Sequence, residues 1–586
     1  MSATNGKRVQ VPETGNRERS RPPASRRTAA AMGRRDCLRA AASVAGALGI
    51  GAPATLRTIG SPKGGGLPAR PNLLMVITDQ ERYPQHWPTD SSWLDANFPA
   101  RQRLAANGLT FRNAFCNSAM CSPSRATLFT GLFSEQHRVK RTLTYGGSWS
   151  VEETPLPVCV QNMARMLASA NYRVVLAGKW HLSKSDSGGA PSVADVGKYG
   201  FTWLKANTAG EATEMQDFGG GCANHDEDIK SQALEFLNGE TVERTASSPF
   251  CLILSLANPH DVLSYPLTWN NEDPQHPGCF NYRDTPNMFD RIPISGSFGS
   301  YLSNYSDDLG TKPTVQAQSR QLYLGLGSLT SDQDQKNYFN FYAYLQKLVD
   351  GHIMDVLNRL DSRGLTDSTV VVRLSDHGEM GLSHQLRQKM FNVYEEAIHV
   401  PLVFSNRILF PAARTTDSWA SLADVMPTLA SLANVPNRDR YRFQGYDLTP
   451  VFSNPALTVQ DRVLYVFDDE KSGLAAPPEP GFPIEQPNHI RCIRMKDSQG
   501  AVWKYARYFD PSGQAAEQYE MYRLYKSDGS PDDPDELENK AGKVLYHSKE
   551  LELKAALAAL ESEKMTAGDA GCRTYLPLTV KSGSQT

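Results

Sequence analysis

Asn72-Leu-Leu-Met-Val-Ile-Thr78 is a short apolar run closed by Asp79-Gln80. A continuous apolar run of this length is the pattern of a strand buried on both faces, as in a parallel sheet covered by helices. Three further segments repeat it. Tyr172-Arg-Val-Val-Leu-Ala177 leads into Gly178-Lys-Trp-His181, Phe250-Cys-Leu-Ile-Leu-Ser-Leu256 into Ala257-Asn-Pro-His260, and Ser368-Thr-Val-Val-Val-Arg-Leu374 into Ser375-Asp-His377. In doubly wound α/β sheets, ligands bind outside the carboxyl ends of the strands, so one crevice is expected to gather these polar termini. Singly, each has a plain structural use: Asp79 as a cap, His260 as a loop residue, Asp376-His377-Gly378 as a turn. Their joint occurrence favours a site.

Outward from these strands, 586 residues exceed what one compact core holds, and at least two packed units are expected. The net charge of -2 argues against a nucleic-acid footprint or a generally basic membrane-binding surface. Arg34-Arg35-Asp-Cys-Leu-Arg-Ala followed by small apolar residues from Ala40 to Ala54 reads as a twin-arginine export signal over residues 1–54, with a linker at 55–69. Gly and Ser interrupt that apolar run, which is too short to span a bilayer, so no integral membrane segment is expected. The expectation is an exported protein, periplasmic or secreted. Of nine cysteines, Cys37 falls in the signal. Setting Cys121 aside for chemistry leaves an odd remainder with no zinc-ribbon spacing; one or two disulfides are allowed, their connectivity open.

Cys121-Ser-Pro-Ser-Arg-Ala-Thr-Leu-Phe-Thr-Gly131 places a thiol, a proline and an arginine at the start of an expected helix. The helix dipole there favours negative charge beside Cys121 and Arg125. The pattern CxPSR followed by TxFTG resembles the maturation signature of the type I sulfatases, formylglycine-dependent, arylsulfatase-like enzymes of the alkaline phosphatase superfamily. Gly178-Lys179-Trp180-His181, Pro259-His260, Lys389 ahead of Tyr394-Glu-Glu396, and Asp424-Val-Met-Pro-Thr-Leu-Ala430 extend the resemblance. By ordered motifs it runs from about Pro71 to Ala541.

The resemblance implies a large, mixed, mostly parallel sheet sandwiched by helices, with a smaller C-terminal domain of antiparallel sheet packed with a helix. It implies that a formylglycine-generating enzyme oxidises Cys121 to formylglycine, whose hydrate is the nucleophile. Asp79, Gln80, Asp376 and His377 fall at the ligand positions for one divalent cation, calcium being the family expectation and manganese or magnesium the alternatives. Arg125, Lys179 and Lys389 would surround the sulfate, His260 would protonate the leaving oxygen, and His181 would take the proton of the second hydrate hydroxyl.

Two departures stand out. Many sulfatases carry two adjacent aspartates where this chain has Asp79-Gln80, and many arylsulfatases carry Asn where it has His377. An all-oxygen site suits calcium or magnesium, whereas an imidazole suits manganese, zinc or iron. Asp-Gln and Asp-His pairs also occur in phosphonate monoester and phosphodiester hydrolases of the superfamily. The leading reading is a sulfuric ester hydrolase acting on a small-molecule or carbohydrate sulfate ester. That phosphorus-ester activity and a non-catalytic binding protein with the same fold are the alternatives.

The catalytic region is expected at 70–455, with an irregular insertion at 261–336 rich in Pro, Asn, Asp, Ser and Tyr. Such insertions often form binding loops, with Trp269, Tyr282, Tyr301 and Tyr305 as candidate pocket walls. Apolar spacing predicts a helix over 338–360. Beyond, residues 456–586 read as the C-terminal subdomain, with short strands at 463–467, 489–494 and 501–506 and a helix at about 548–564. The alcohol half of the substrate and the oligomeric state stay open.

Overall fold

A computed structural model describes residues 66–84, 91–145, 150–211, 214–241, 248–469 and 484–566. The expected export signal lies outside them, as does most of the linker. The strands are β1 (Asn72–Asp79), β2 (Gly108–Phe115), β3 (Arg173–Gly178), β4 (Thr202–Trp203), β5 (Phe250–Pro259), β6 (Thr369–Ser375), β7 (Leu402–Ser405) and β8 (Arg414–Ser421). They form one sheet in the order β4-β3-β5-β1-β6-β7-β2-β8. From β4 to β6 all neighbours are parallel. β7 runs antiparallel to both β6 and β2, while β2 and β8 are parallel, so the sheet is mixed but mostly parallel.

Alternation along β1 explains why its sequence is apolar throughout. Leu73, Met75 and Ile77 face one core, and Leu74 and Val76 face the other. The first core includes residues of α1 (Cys121–Thr130) and of the helix Val425–Leu432. The second is closed by α2 (His225–Asn238) and α3 (Asp332–Ser362). α3 starts six residues ahead of its apolar periodicity because Ser331 and Asp334 cap each other's backbone N–H groups in a capping box.

A second sheet, β12-β11-β10-β9, is antiparallel throughout and comprises β9 (Arg462–Phe467), β10 (His489–Lys496), β11 (Val502–Phe509) and β12 (Gln518–Tyr525). Its strand β12 was not anticipated from apolar pattern. One face carries Leu553, Leu557 and Leu560 of the C-terminal helix His547–Met565 against Ile493, Trp503 and Tyr505. The other face, through Tyr465, Phe467, Ile490 and Tyr508, merges with the core of the large sheet.

The insertion differs from expectation in two ways. It contains a nine-residue helix, Thr314–Leu322. Of the candidate pocket walls, Tyr282 is interior packing, buried edge-on against Phe341 at 5.0 Å, while Trp269, Tyr301 and Tyr305 are half-buried and pack on the same cluster. A segment with little regular structure gains its stability from such rings, each of which buries a large apolar area. A Cys222–Cys279 disulfide ties it to the loop before α2. Among the described residues no helix is long and apolar enough to cross a membrane.

Candidate active site

Strand register decides which side chains meet. Thr78 pairs with Ser375, Asp79 with Pro259, and Gly178 with Ser255, so four strands end side by side. The amino end of α1 sits over these ends, where Ser124 Oγ donates to the Asp376 carbonyl at 2.5 Å. Cys121 Sγ thereby lies 3.3 Å from His377 Nε2 and 3.7 Å from Asp79 Oδ1. Ligand-type atoms of Asp79, Cys121, Asp376 and His377 all fall within 4.8 Å of one another, and all four residues are buried.

The orientation of each donor suits a cation. His377 Nδ1 is 3.1 Å from the Gly378 carbonyl, which holds a proton on that nitrogen and turns Nε2 toward the cluster. Asp79 gives Oδ2 to Lys179 at 2.6 Å and to Arg125 at 3.2 Å, leaving Oδ1 facing Cys121 and His377. Asp376 gives Oδ2 to Arg125 Nε at 2.9 Å, and its Oδ1 accepts from the backbone N–H groups of Gln80 and His377. Two carboxylates and an imidazole with their open faces inward fit a divalent metal.

Charge in the cluster is tightly coupled. Burial alone would raise the Cys121 thiol, but Lys179, Lys389 and His377 outweigh it and hold the thiol well below its ordinary range. Burial also opposes ionisation of Asp79, yet Lys179, His260 and Arg125 keep it ionised. For Asp376, burial and the adjacent Asp79 carboxylate win, and its pKa is raised.

The basic residues take distinct places. Arg125 is fully buried and bridges the two carboxylates, with Nη1 donating to Ser255 Oγ at 2.8 Å and to the Lys179 carbonyl at 3.2 Å. Lys179 also donates to the Gly210 carbonyl. Lys389 Nζ donates to Gln80 Oε1 at 2.5 Å. The Gln80 amide nitrogen in turn donates to Glu379 at 2.5 Å and Gln388 at 3.1 Å, so this side chain links Lys389 to the floor of the site. His181, in a left-handed conformation (φ 57°), sets Nε2 2.8 Å from the Leu143 carbonyl. Its Nδ1 is then an acceptor, buried and without a hydrogen bond among the described residues. His260 interacts with Cys121, and burial, reinforced by Lys389, lowers its pKa.

All ten residues singled out in the sequence therefore belong to one buried assembly. Glu379 and Gln388 were missed. Glu379 accepts from Tyr338, Gln80 and the Gln388 N–H, and so anchors the Gln80–Lys389 pair. Its signal was its position, two residues beyond His377.

The family described as Sulfatase matches residues 71–435. The chain belongs to the sulfatase family. Among curated sulfatase relatives, the "Uncharacterized sulfatase YidJ" of Escherichia coli (strain K12) is 26% identical over 385 residues, covering 62% of this chain and 68% of that protein. An "N-acetylglucosamine-6-O-sulfatase" of Bacteroides thetaiotaomicron is 24% identical over 445 residues, covering 67% and 72%. The solved structure of BT4656 in complex with its substrate D-glucosamine-2-N,6-O-disulfate shares the sulfatase fold, with a TM-score of 0.61 at 20% identity over 86% of this chain and 99% of that one. The buried Asp/Cys/Asp/His cluster lies within the matched region.

Proposed function

We propose that this sulfatase-family enzyme hydrolyses sulfate monoesters to an alcohol and inorganic sulfate, with Cys121 oxidised to formylglycine as its working form. The observation that carries the proposal is the seat of Cys121 at the amino end of α1, 3.3 Å from His377 and 3.7 Å from Asp79. Formylglycine supplies there a hydrate with two hydroxyls, one to attack sulfur and one to expel sulfate.

Asp79, Asp376 and His377 are the proposed ligands of one divalent cation, calcium first and manganese or magnesium next. The Gln80 oxygen, already accepting from Lys389, is a fourth candidate. When bound, such a cation supplies Lewis-acid polarisation of the sulfate oxygens. Lys179 and Lys389 place fixed positive charge where the ester oxygens develop charge. Arg125 holds the two carboxylates in place. His181, with Nδ1 open to accept, is the proposed base, and His260, set against Cys121, is the proposed acid for the leaving oxygen once the anionic ester is bound beside it.

The preferred substrate is a sulfated carbohydrate, the class on which the N-acetylglucosamine-6-O-sulfatase relative acts by its name. Residues 70–455 are read as the catalytic part and 456–586 as a C-terminal subdomain. Export through the twin-arginine signal would carry the enzyme out already folded and modified.

The test is mass spectrometry of the Cys121 peptide from protein made beside a formylglycine-generating enzyme, joined to rates on the sulfate, phosphodiester and phosphonate esters of one aryl alcohol. Formylglycine and a preference for sulfate are expected. An unmodified thiol throughout active protein, or a large preference for a phosphorus ester, would overturn the proposal.

A further inference from the structure

Glu211 is 5% exposed, and neither of its carboxylate oxygens has a hydrogen bond among the described residues. A buried carboxylate without donors is costly to keep, and a fold retains it most readily where a ligand brings the donors. Its place is beside the catalytic assembly. Gly210, the residue before it, accepts at its carbonyl from Lys179, and the Glu211 charge acts on Arg125.

Tyr145 faces the same space. Its hydroxyl is buried and without a hydrogen bond among the described residues, and its ring centroid lies 6.4 Å from that of His181. Burial first, then the charge of the adjacent Glu211 and a side-chain interaction of the phenol with that carboxylate, push its pKa well up, which keeps the phenol protonated. His181 Nδ1, the Tyr145 hydroxyl and the Glu211 carboxylate thus each lack a well-formed hydrogen bond among the described residues. The first is taken up by the proposed chemistry. The other two are not.

We propose that Glu211 and Tyr145 form the subsite for the alcohol half of the ester and select a neutral, hydroxyl-bearing alcohol, a hexose monosulfate rather than an aryl, choline or further acidic one. The proposal rests on the sulfatase reading above. Adjacent sugar hydroxyls can donate to both carboxylate oxygens, while Tyr145 donates to or accepts from a third. An aryl group brings no donors, and choline brings charge wrapped in methyl groups. A second sulfate or carboxylate would meet the Glu211 charge.

The experiment compares wild type, Glu211→Gln and Tyr145→Phe, all carrying formylglycine, on the 2-, 3- and 6-sulfates of glucose, choline sulfate and 4-nitrophenyl sulfate. Wild type is expected to prefer one glucose sulfate over choline sulfate. Each variant should lose about 10- to 100-fold in kcat/KM on that sugar, mostly through KM, and change by less than about threefold on the aryl ester. Thermal midpoints give a second readout: Glu211→Gln should unfold at a higher temperature, because it removes a buried carboxylate charge that no hydrogen-bond donor satisfies. Equal losses on every ester, no loss on any, a lower midpoint for Glu211→Gln, or a wild-type preference for choline sulfate would overturn the subsite. If wild type hydrolyses phosphorus esters and no sulfate ester, the sulfatase reading itself falls.

Discussion

Arg125 Nε donates to Asp376 Oδ2 at 2.9 Å with both side chains wholly shielded from solvent, and the same guanidinium reaches Asp79 at 3.2 Å. One planar cation therefore holds two carboxylates that would otherwise repel. Replacing it by Met leaves Asp376 without its cation and Asp79 with Lys179 alone, a loss of about 3–5 kcal/mol by analogy with other broken buried pairs. Urea unfolding in the presence of a chelator would measure it, and added divalent cation should recover part. Arg125→Lys should fall between, since an ammonium cannot span both carboxylates.

Cys121→Ala should abolish turnover while keeping the fold and most metal affinity. The Asp79, Asp376 and His377 atoms are held by Arg125, Lys179 and backbone groups rather than by the thiol. Circular dichroism, metal titration and sulfate release check the three parts. Near-normal turnover would remove residue 121 from the mechanism.

Gln80→Leu removes the oxygen to which Lys389 donates and leaves Glu379 short of one donor. A fall in kcat/KM of about 10²-fold is expected, the scale of losing one oriented catalytic donor. If Gln80 only filled space, Leu would be tolerated.

Gly178 has φ 98°, and a Cβ there would sit 2.0 Å from the Ser255 carbonyl oxygen. Gly178→Ala should cost about 1–3 kcal/mol in backbone strain and more if β3 shifts. Because Lys179 N–H donates to that same carbonyl at 2.9 Å, its ammonium should move off Asp79, and turnover should drop further than stability.

Asp226 accepts from the N–H groups of Ala257 and Asn258, the turn that presents His260. Burial, aided by Asp261, pushes its pKa up to about 7. The folded state thus holds this proton where the unfolded chain, titrating near ~4, has released it. Its contribution is full below about pH 4 and is lost as pH rises through about 7. Urea midpoints for Asp226→Asn should therefore decline less than those of wild type between about pH 4 and about pH 7. Parallel curves would refute the assignment.

Much of this site was legible because its residues sit at strand ends, where local pattern and chemistry coincide. The apolar runs leading into Asp79, Gly178, Ala257 and Ser375 were each continuous, and each closed on polar residues. The strand ends thus located the parallel strands and the polar residues that close them, while the resemblance to the sulfatases added Cys121, Arg125 and Lys389. What it could not assign was the partner of each. That Arg125 serves Asp79 and Asp376, and that Gln80 is tied to Lys389, depends on the register between β1, β5 and β6 and on loops meeting across about 300 positions. The aromatic residues of the insertion show the same limit, since identical rings can wall a pocket or fill a core. Glu211 and Tyr145 carried no sequence signal because neither ends a strand nor repeats a motif. Only tertiary packing shields the Glu211 carboxylate and the Tyr145 hydroxyl from water and brings them together.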